Sequence, residues 1–405
     1  MKSRNRNIQW SSRPDRRMES IHRTGAVFNN NRSHSMKMSI GVDLHKTQFT
    51  VCFLSEDRKV KESGIYPTDK SGYESFLSRI DDYLDEGFDV QAAVESTGNA
   101  RYFRNKLLLA GIAVTVVNTL KFKIVNESVK KTDKHDAATL AEFLEKDMLP
   151  ESVLCSQESE DIRRVLKTRS VLVKALVSVK NQVHGLLLGY GIMSKRGQLQ
   201  SKKERQRILK GLEDHRSFGN AAQAVIPLFE TIDQVHAQVK KLEKVIEELV
   251  SEDEDVELLM TIPGVGIITA TTIRAYMDNI ERYENPKKFA SYMGLAPWVQ
   301  NSNETIRHGH ITKRGPVELR TAMVQSVMGM VRSSKQTKSY RIMSKYRVMK
   351  KAKGSGQSII ATARKLSTIV YMILKTRKPF DPLRMVPDKK YLKMQTVALS
   401  AAIAG

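Results

Sequence analysis

From Met38 onward the apolar positions fall first in short alternating runs and only later at helical spacing. Residues 39–44, 48–55 and 59–66 alternate or run apolar with β-branched content between short polar turns, which predicts three consecutive strands. Tyr73, Phe76, Leu77, Ile80 and Leu84 then recur at steps of three and four, so a helix follows. A strand ending at Glu95, a helix over 102–109, a strand over 113–117 and a helix from about Lys134 to Lys146 complete the block. Beyond Gln157 no strand signal survives as far as Ser251.

Three strands followed by alternating helices and strands is the order of a ribonuclease-H-like (RuvC-like) α/β sheet covered by helices. The stretch behind it reads as an arm of long helices. A helix over 162–188 places Leu166, Val173, Leu176, Val177 and Val183 on one broad face. Leu228, Ile232, Val235, Val239, Leu242, Ile246 and Leu249 then alternate steps of four and three, the seam of a coiled coil. The two helices pair as an antiparallel hairpin or against another subunit; an ordinary helical packing domain fits as well as a dimerisation arm, and the regularity of the seam tilts modestly to the arm. The expected division is a basic disordered tail over 1–37, a metal-type α/β domain over 38–155, the arm over 156–252, a mainly helical domain over 253–390 and a tail over 391–405. Met36 and Met38 stand directly before the first strand, so a start at either would remove the tail.

Charge points to the partner. Lys and Arg number 67 against 44 Asp and Glu, a net charge of +23, and such an excess repels itself unless a polyanion neutralises it. From residue 319 to 380 no acidic residue occurs, and Lys345, Arg347, Lys350 and Lys351 sit in the densest basic segment. A one-signed run on this scale fits a phosphate-tracking surface better than an ordinary solvated face. No run of about 18 apolar residues and no signal peptide is read, so a cytoplasmic protein without a membrane span is expected. Cys52 and Cys155 stand in no paired spacing, which argues against zinc knuckles and disulfides.

Candidate chemistry lies in the first third. Asp43 and Glu95 end apolar strands, and Asp133 and Asp136, three apart, share a helical face. Carboxylates so placed can converge on a divalent-metal site, because hard cations take oxygen ligands and two Mg²⁺ ions about 4 Å apart can clamp a phosphodiester. Spacing alone equally allows ordinary surface acids. In Pro263-Gly264-Val265-Gly266, glycines between two helices suit either a phosphate contact or close packing.

Gly41-Val42-Asp43-Leu44-His45-Lys46, Val94-Glu95-Ser96-Thr97-Gly98-Asn99 and Lys131-Thr132-Asp133-Lys134-His135-Asp136-Ala137 resemble the three blocks of the DEDD transposases of bacterial insertion sequences, relatives of the Piv invertase. Further blocks follow in the same order: Ile262 to Gly266, Phe289 to Pro297, and His310-Ile311-Thr312-Lys313-Arg314-Gly315 with Leu319-Arg320. The resemblance covers about 38–381. It implies that Asp43, Glu95, Asp133 and Asp136 bind metal in a RuvC-like domain, and that Ser302 is a nucleophile forming a phosphoserine–DNA intermediate. The family's Ser-Gly-rich segment is here Asn301-Ser302-Asn303-Glu304-Thr305, which makes Thr305 the alternative hydroxyl and leaves a capping serine as the bland one. It also implies double-stranded DNA at element ends and target, a structured bridge RNA as guide, and a homo-oligomer, dimer or tetramer, whose subunits share a composite site. No aromatic stacking motif is read, so the guide RNA is implied by the resemblance alone. Arg307, Lys313, Arg314 and Arg320 are the expected phosphate clamps near the serine, whereas His308 and His310 read as solvent or phosphate contacts. Two rivals are a Holliday-junction resolvase that activates water with the same carboxylates, and a non-catalytic DNA-binding protein.

Overall fold

A computed structural model describes residues 35–59, 61–125, 132–195, 197–214, 220–302 and 305–386; the side chains of 124, 125 and 299–308 are outside the description. Of the expected tail over 1–37, residues 1–34 lie outside the described residues and Lys37 already opens the first strand; the expected tail over 391–405 lies outside them too. The chain divides into two units, Met1–Leu154 and Cys155–Gly405.

The first unit runs β1 (Lys37–Leu44), β2 (Gln48–Ser55), β3 (Lys61–Pro67), α1 (Lys70–Asp85), β4 (Asp89–Glu95), α2 (Ala100–Leu109), β5 (Ala113–Val117), α3 (Thr119–Val125) and α4 (Asp133–Glu145). Its sheet has the order β3-β2-β1-β4-β5. Short turns fold β1, β2 and β3 into an antiparallel meander, while the α1 and α2 crossovers bring β4 and β5 in parallel to β1. β1 and β2 are buried along nearly their whole length, as their continuous apolar runs require, whereas the edge strand β3 alternates exposed and half-buried positions.

Strand parity assigns the two faces. Ile40, Val42, Phe49, Val51 and Phe53 pack with Tyr73, Phe76 and Ile80 of α1 and Phe103 and Leu107 of α2. On the opposite face Cys52 and Leu54 meet Ala137 and Ala141 of α4, and Ala93 and Val117 meet its Leu140 and Leu144. Gly41 is what lets α4 come so close: a Cβ there would stand 2.0 Å from the Ala137 carbonyl oxygen and 2.4 Å from the Ala141 nitrogen. Only glycine tolerates that approach.

Among its described residues the second unit is helical apart from one hairpin. It runs α5 (Gln157–Gly189), α6 (Lys202–Glu213), α7 (Ala221–Leu249), α8 (Glu254–Met260), α9 (Ile267–Met277), α10 (Pro286–Tyr292), β6 (Pro297–Ser302), β7 (Thr305–Ile311), α11 (Val317–Arg332), α12 (Ser334–Thr337) and α13 (Arg341–Thr376). α5 and α7 lie antiparallel: Ile162 and Leu166 share a cluster with Ile246, and Val183 and Leu187 share another with Ala221 and Val225. Arg169 clamps Glu243 across the pair at 2.5 and 3.0 Å. Of the seam residues, Ile232, Val239 and Ile246 are buried, while Leu249 stays 46% exposed. α5 is long and apolar enough by length and composition to cross a bilayer, yet here its stripe meets α7. α6 carries too few apolar residues to announce itself. Its buried Arg205 donates to the carbonyls of Leu199 and Phe229 and pairs with Asp233 at 2.8 Å.

In the Pro-Gly-Val-Gly turn between α8 and α9, Gly264 has φ +86°, and its Cβ would meet the backbone of Gly329 and Met330 at 2.4 Å. Gly329 is reciprocally closed by the Gly264 carbonyl. Close packing against α11 therefore accounts for Gly264.

Candidate active site

Residues 39, 41 and 43 of β1 point to the face that carries α4, so Asp43 emerges there just beyond Gly41. The parallel register sets Val42 beside Val94, and Glu95, two past the α4-facing Ala93, emerges on the same face. Asp133 and Asp136 lie in the first turn of α4, where the Thr132 side chain accepts from the His135 amide and caps the helix. Acidic side chains suit that positive helix end. The four carboxylates thus leave two neighbouring strand ends and one helix start on the same face of the sheet.

Their electrostatics report the proximity. Burial first pushes the Asp43 carboxyl above its ordinary value; His45 pulls it down, and Asp133 and Asp136 push it further up. Glu95 is raised by burial and then by Asp43 and Asp136, against the opposing charge of Lys123. Such mutual repulsion is what a cation relieves. His45 Nε2 lies 3.1 Å from Asp43 Oδ2 and 3.5 Å from Asp133 Oδ2. Ligand atoms of Asp43, His45 and Asp133 all fall within 4.8 Å of one another, a set able to hold a metal ion. The Asn99 amide donates to the His45 carbonyl at 2.9 Å and ties this loop to the one after β4.

Ser302 closes β6, paired in register with Thr305 at the start of β7. Both hydroxyl-bearing candidates therefore stand opposite each other at the same end of one hairpin, rather than in a loop. Gly309 accommodates the Trp298 ring of the neighbouring strand, where a Cβ would meet Cε3 at 2.9 Å.

A transposase model of the IS110 DEDD type matches residues 40–192, the span of all four carboxylates. The model of the IS116/IS110/IS902 transposase family matches residues 256–341, the span of the hairpin. Together they cover more than half of the chain. The chain belongs to the IS110/IS116 transposase family. Its relatives include the transposase for insertion sequence element IS1111A of Coxiella burnetii, 25% identical over 89% of this chain and 95% of that protein. The pilin gene-inverting protein of Moraxella bovis is 26% identical over 85% and 98%. A probable family 20 transposase of Pseudomonas aeruginosa is 25% identical over 59% and 71%.

The expected phosphate clamps of this transposase have varied settings. Lys313, with φ +54°, and Arg314 are exposed in the segment after β7. Half-buried Arg320 turns one Nη1 back to the carbonyls of Met293 and Lys313, bracing that segment. Lys345, Arg347, Lys350 and Lys351 are exposed on α13, where Arg347 Nη2 also donates to the Lys338 carbonyl at 2.9 Å. Arg307 and His308 lie on β7, their side chains outside the description, and His310 is exposed. Sequence reasoning passed over His45 and Lys123. The same strand parity that aims Asp43 at α4 was the available sign for His45, two residues on; no comparable sign marked Lys123.

Proposed function

We propose that this transposase cuts and rejoins DNA at insertion-sequence ends and target, using a Mg²⁺ site on Asp43, Glu95, Asp133 and Asp136 and Ser302 as nucleophile. The observation that carries it is the convergence of the four carboxylates on one face of the sheet. The strand order β3-β2-β1-β4-β5, with one antiparallel meander and two parallel additions, supports an RNase H-like, RuvC-like reading of the first unit. A carboxylate-rich set suits a hard divalent cation, the second of two Mg²⁺ ions rests on the family resemblance, and a bound cation would neutralise charge on the phosphate oxygens. Asp43, whose charged form is disfavoured by burial and by Asp133 and Asp136, and Glu95, by burial and by Asp43 and Asp136, are the groups such an ion would hold ionised.

In the proposed reaction the Ser302 oxygen bonds to phosphorus as the bond to one DNA oxygen breaks, the serine proton passing through solvent to that departing oxygen, which leaves a phosphoserine linkage and a free DNA hydroxyl. A DNA hydroxyl then attacks that phosphorus, expels the serine oxygen and rejoins the strand, so no external energy source is needed. Arg307, Lys313, Arg314, Lys345, Arg347, Lys350 and Lys351 would track the phosphates, with Arg320 bracing the segment that carries Lys313. A bridge RNA as guide, a homo-oligomer built through the α5–α7 arm as a coiled coil, and action in the bacterial cytoplasm belong to the same reading.

Asp43→Asn and Asp136→Asn test the metal site. Strand cleavage in Mg²⁺ is expected to vanish while DNA binding persists, because neither change touches the basic surface. Full cleavage by either variant contradicts the site.

A further inference from the structure

A cleft of about 760 Å³ opens between the base of the β6–β7 hairpin and α13. Lys313 and His310 face it from the hairpin side, and Lys353, Gln357 and Arg364 from α13. Its floor is apolar, formed by Leu295, Ile311 and Ile360, and among the described residues no acidic one lines it. Cations converging from separate elements with no acid among them leave a positive charge that a polyanion neutralises.

The chain around the cleft is open to such a guest. Gly354, with φ +78° and ψ 175°, breaks α13 beside Lys353, and Gly356 has no atom within 4 Å of where a Cβ would stand. Bare backbone at the restart of the helix allows close approach of a phosphate. Beyond the break, Gln357, Ile360 and Arg364 follow at steps of three and four and share one helix face. Next to the cleft, across Gly309, the indole of Trp298 is 53% exposed, a surface on which a nucleobase can stack.

We infer that this cleft is a DNA-binding site in its own right, holding one strand with its phosphates on Lys353, Arg364 and Lys313 and a base against Trp298. The inference rests on the proposed role of Ser302. β7 runs from the cleft at Ile311 to Thr305, opposite Ser302, roughly 20 Å at about 3.3 Å per residue, so the strand held here flanks the scissile phosphate by a few nucleotides. Deoxyribose suits the apolar floor better than ribose, whose 2′-hydroxyl would be desolvated there without a partner.

The test uses the full chain carrying Trp10→Phe, which leaves Trp298 as its single tryptophan. A labelled DNA duplex of element-end sequence is titrated at several salt concentrations, following both its anisotropy and Trp298 fluorescence. With Lys353→Ala and Arg364→Ala together, the slope of log affinity against log salt is expected to fall by about 2, near 0.9 for each phosphate contact. Quenching of Trp298 by DNA should be lost with it. Both side chains are exposed, so the fold should survive, and Lys353→Arg with Arg364→Lys should restore the slope. An unchanged slope, or an equal drop from Lys240→Ala on the exposed face of α7, overturns the inference. A drop seen with structured RNA and not with DNA overturns the choice of DNA. Serine chemistry is read separately: a double variant that keeps the slope while the parent forms a Ser302 adduct sinks the cleft alone, and a slope that depends on the pair in a chain without adduct sinks the serine alone.

Discussion

Gly41→Ala probes how the fold aims its carboxylates. The new Cβ would lie 2.0 Å from the Ala137 oxygen, 2.4 Å from the Ala141 nitrogen and 3.0 Å from the Leu140 carbonyl carbon, all backbone atoms of α4. Ordinary contact needs about 3.5 Å, so α4 must retreat by roughly 1 to 1.5 Å. Overpacking of this kind costs typically about 1–3 kcal/mol. For a unit of this size that is a fall of roughly 4–12 °C in its unfolding transition. The functional effect should be larger, because Asp133 and Asp136 ride on α4 while Asp43 and Glu95 stay on the sheet. Magnesium demands nearly ideal octahedral ligands at about 2.0–2.1 Å, so a displacement of about 1 Å removes α4's share of the site. Calorimetric titration with Mg²⁺ at a temperature where the variant remains folded should show affinity down at least about tenfold, with cleavage lost in parallel. Gly185→Ala in α5, where a Cβ meets nothing within 4 Å, is the control and should be neutral or stabilising by about 0.5–1 kcal/mol. An unchanged unfolding temperature together with unchanged Mg²⁺ affinity in Gly41→Ala would refute the reasoning that the β1–α4 contact positions the site.

Thr132→Ala deletes the side-chain cap on α4 and should cost about 1 kcal/mol in thermal unfolding, with weaker Mg²⁺ binding; unaltered values would show that the cap does not hold the helix start. Asp278 of the second unit accepts from the Ser156 amide at 3.0 Å and its hydroxyl at 2.7 Å. Burial pushes this carboxyl up, but the hydrogen bonds from Ser156 and Ser159 and the charge of Arg282 outweigh it and hold it below its ordinary value of 3.8. Its contribution to stability is therefore full above the unfolded value and lost as pH falls through the lower folded one. Asp278→Asn should flatten the acid limb of the unfolding temperature against pH, and an identical profile would remove Asp278 from that balance. Arg205→Met should destabilise the arm by about 1–3 kcal/mol, since the carbonyls of Leu199 and Phe229 lose a buried donor; chemical denaturation followed by circular dichroism measures it.

The first unit was largely legible in the chain because β1 and β2 are buried along nearly their whole length and therefore continuously apolar, and its helices show a one-sided period. Asp43 and Glu95 stood out as acids ending such strands, and Asp133 and Asp136 as a pair one turn apart. What joins them was less legible: Gly41 looks like any strand glycine until α4 is seen against it, and the contact spans nearly a hundred residues of sequence. The β6–β7 hairpin was not anticipated, since Asn301, Asn303 and Gly309 are poor strand formers and its strands lack an apolar alternation. α6 was missed for a related reason, being mostly charged and burying Leu212 and Arg205 alone. Of the α7 seam, Ile232, Val239 and Ile246 are buried, but periodicity does not say whether the stripe meets α5 of its own chain or another subunit.

Covalent capture of DNA by Ser302 is the most direct test. Purified protein is incubated with its element's end DNA, the flanking transcript and Mg²⁺, the reaction is quenched with denaturant, and the linked peptide is mapped by mass spectrometry. The expected result is a phosphoserine linkage within the peptide containing Ser302, absent from Ser302→Ala, which should still bind DNA and Mg²⁺. Cleaved DNA with free ends and no adduct would make water the nucleophile, and an adduct at Thr305 would move the nucleophile across the hairpin.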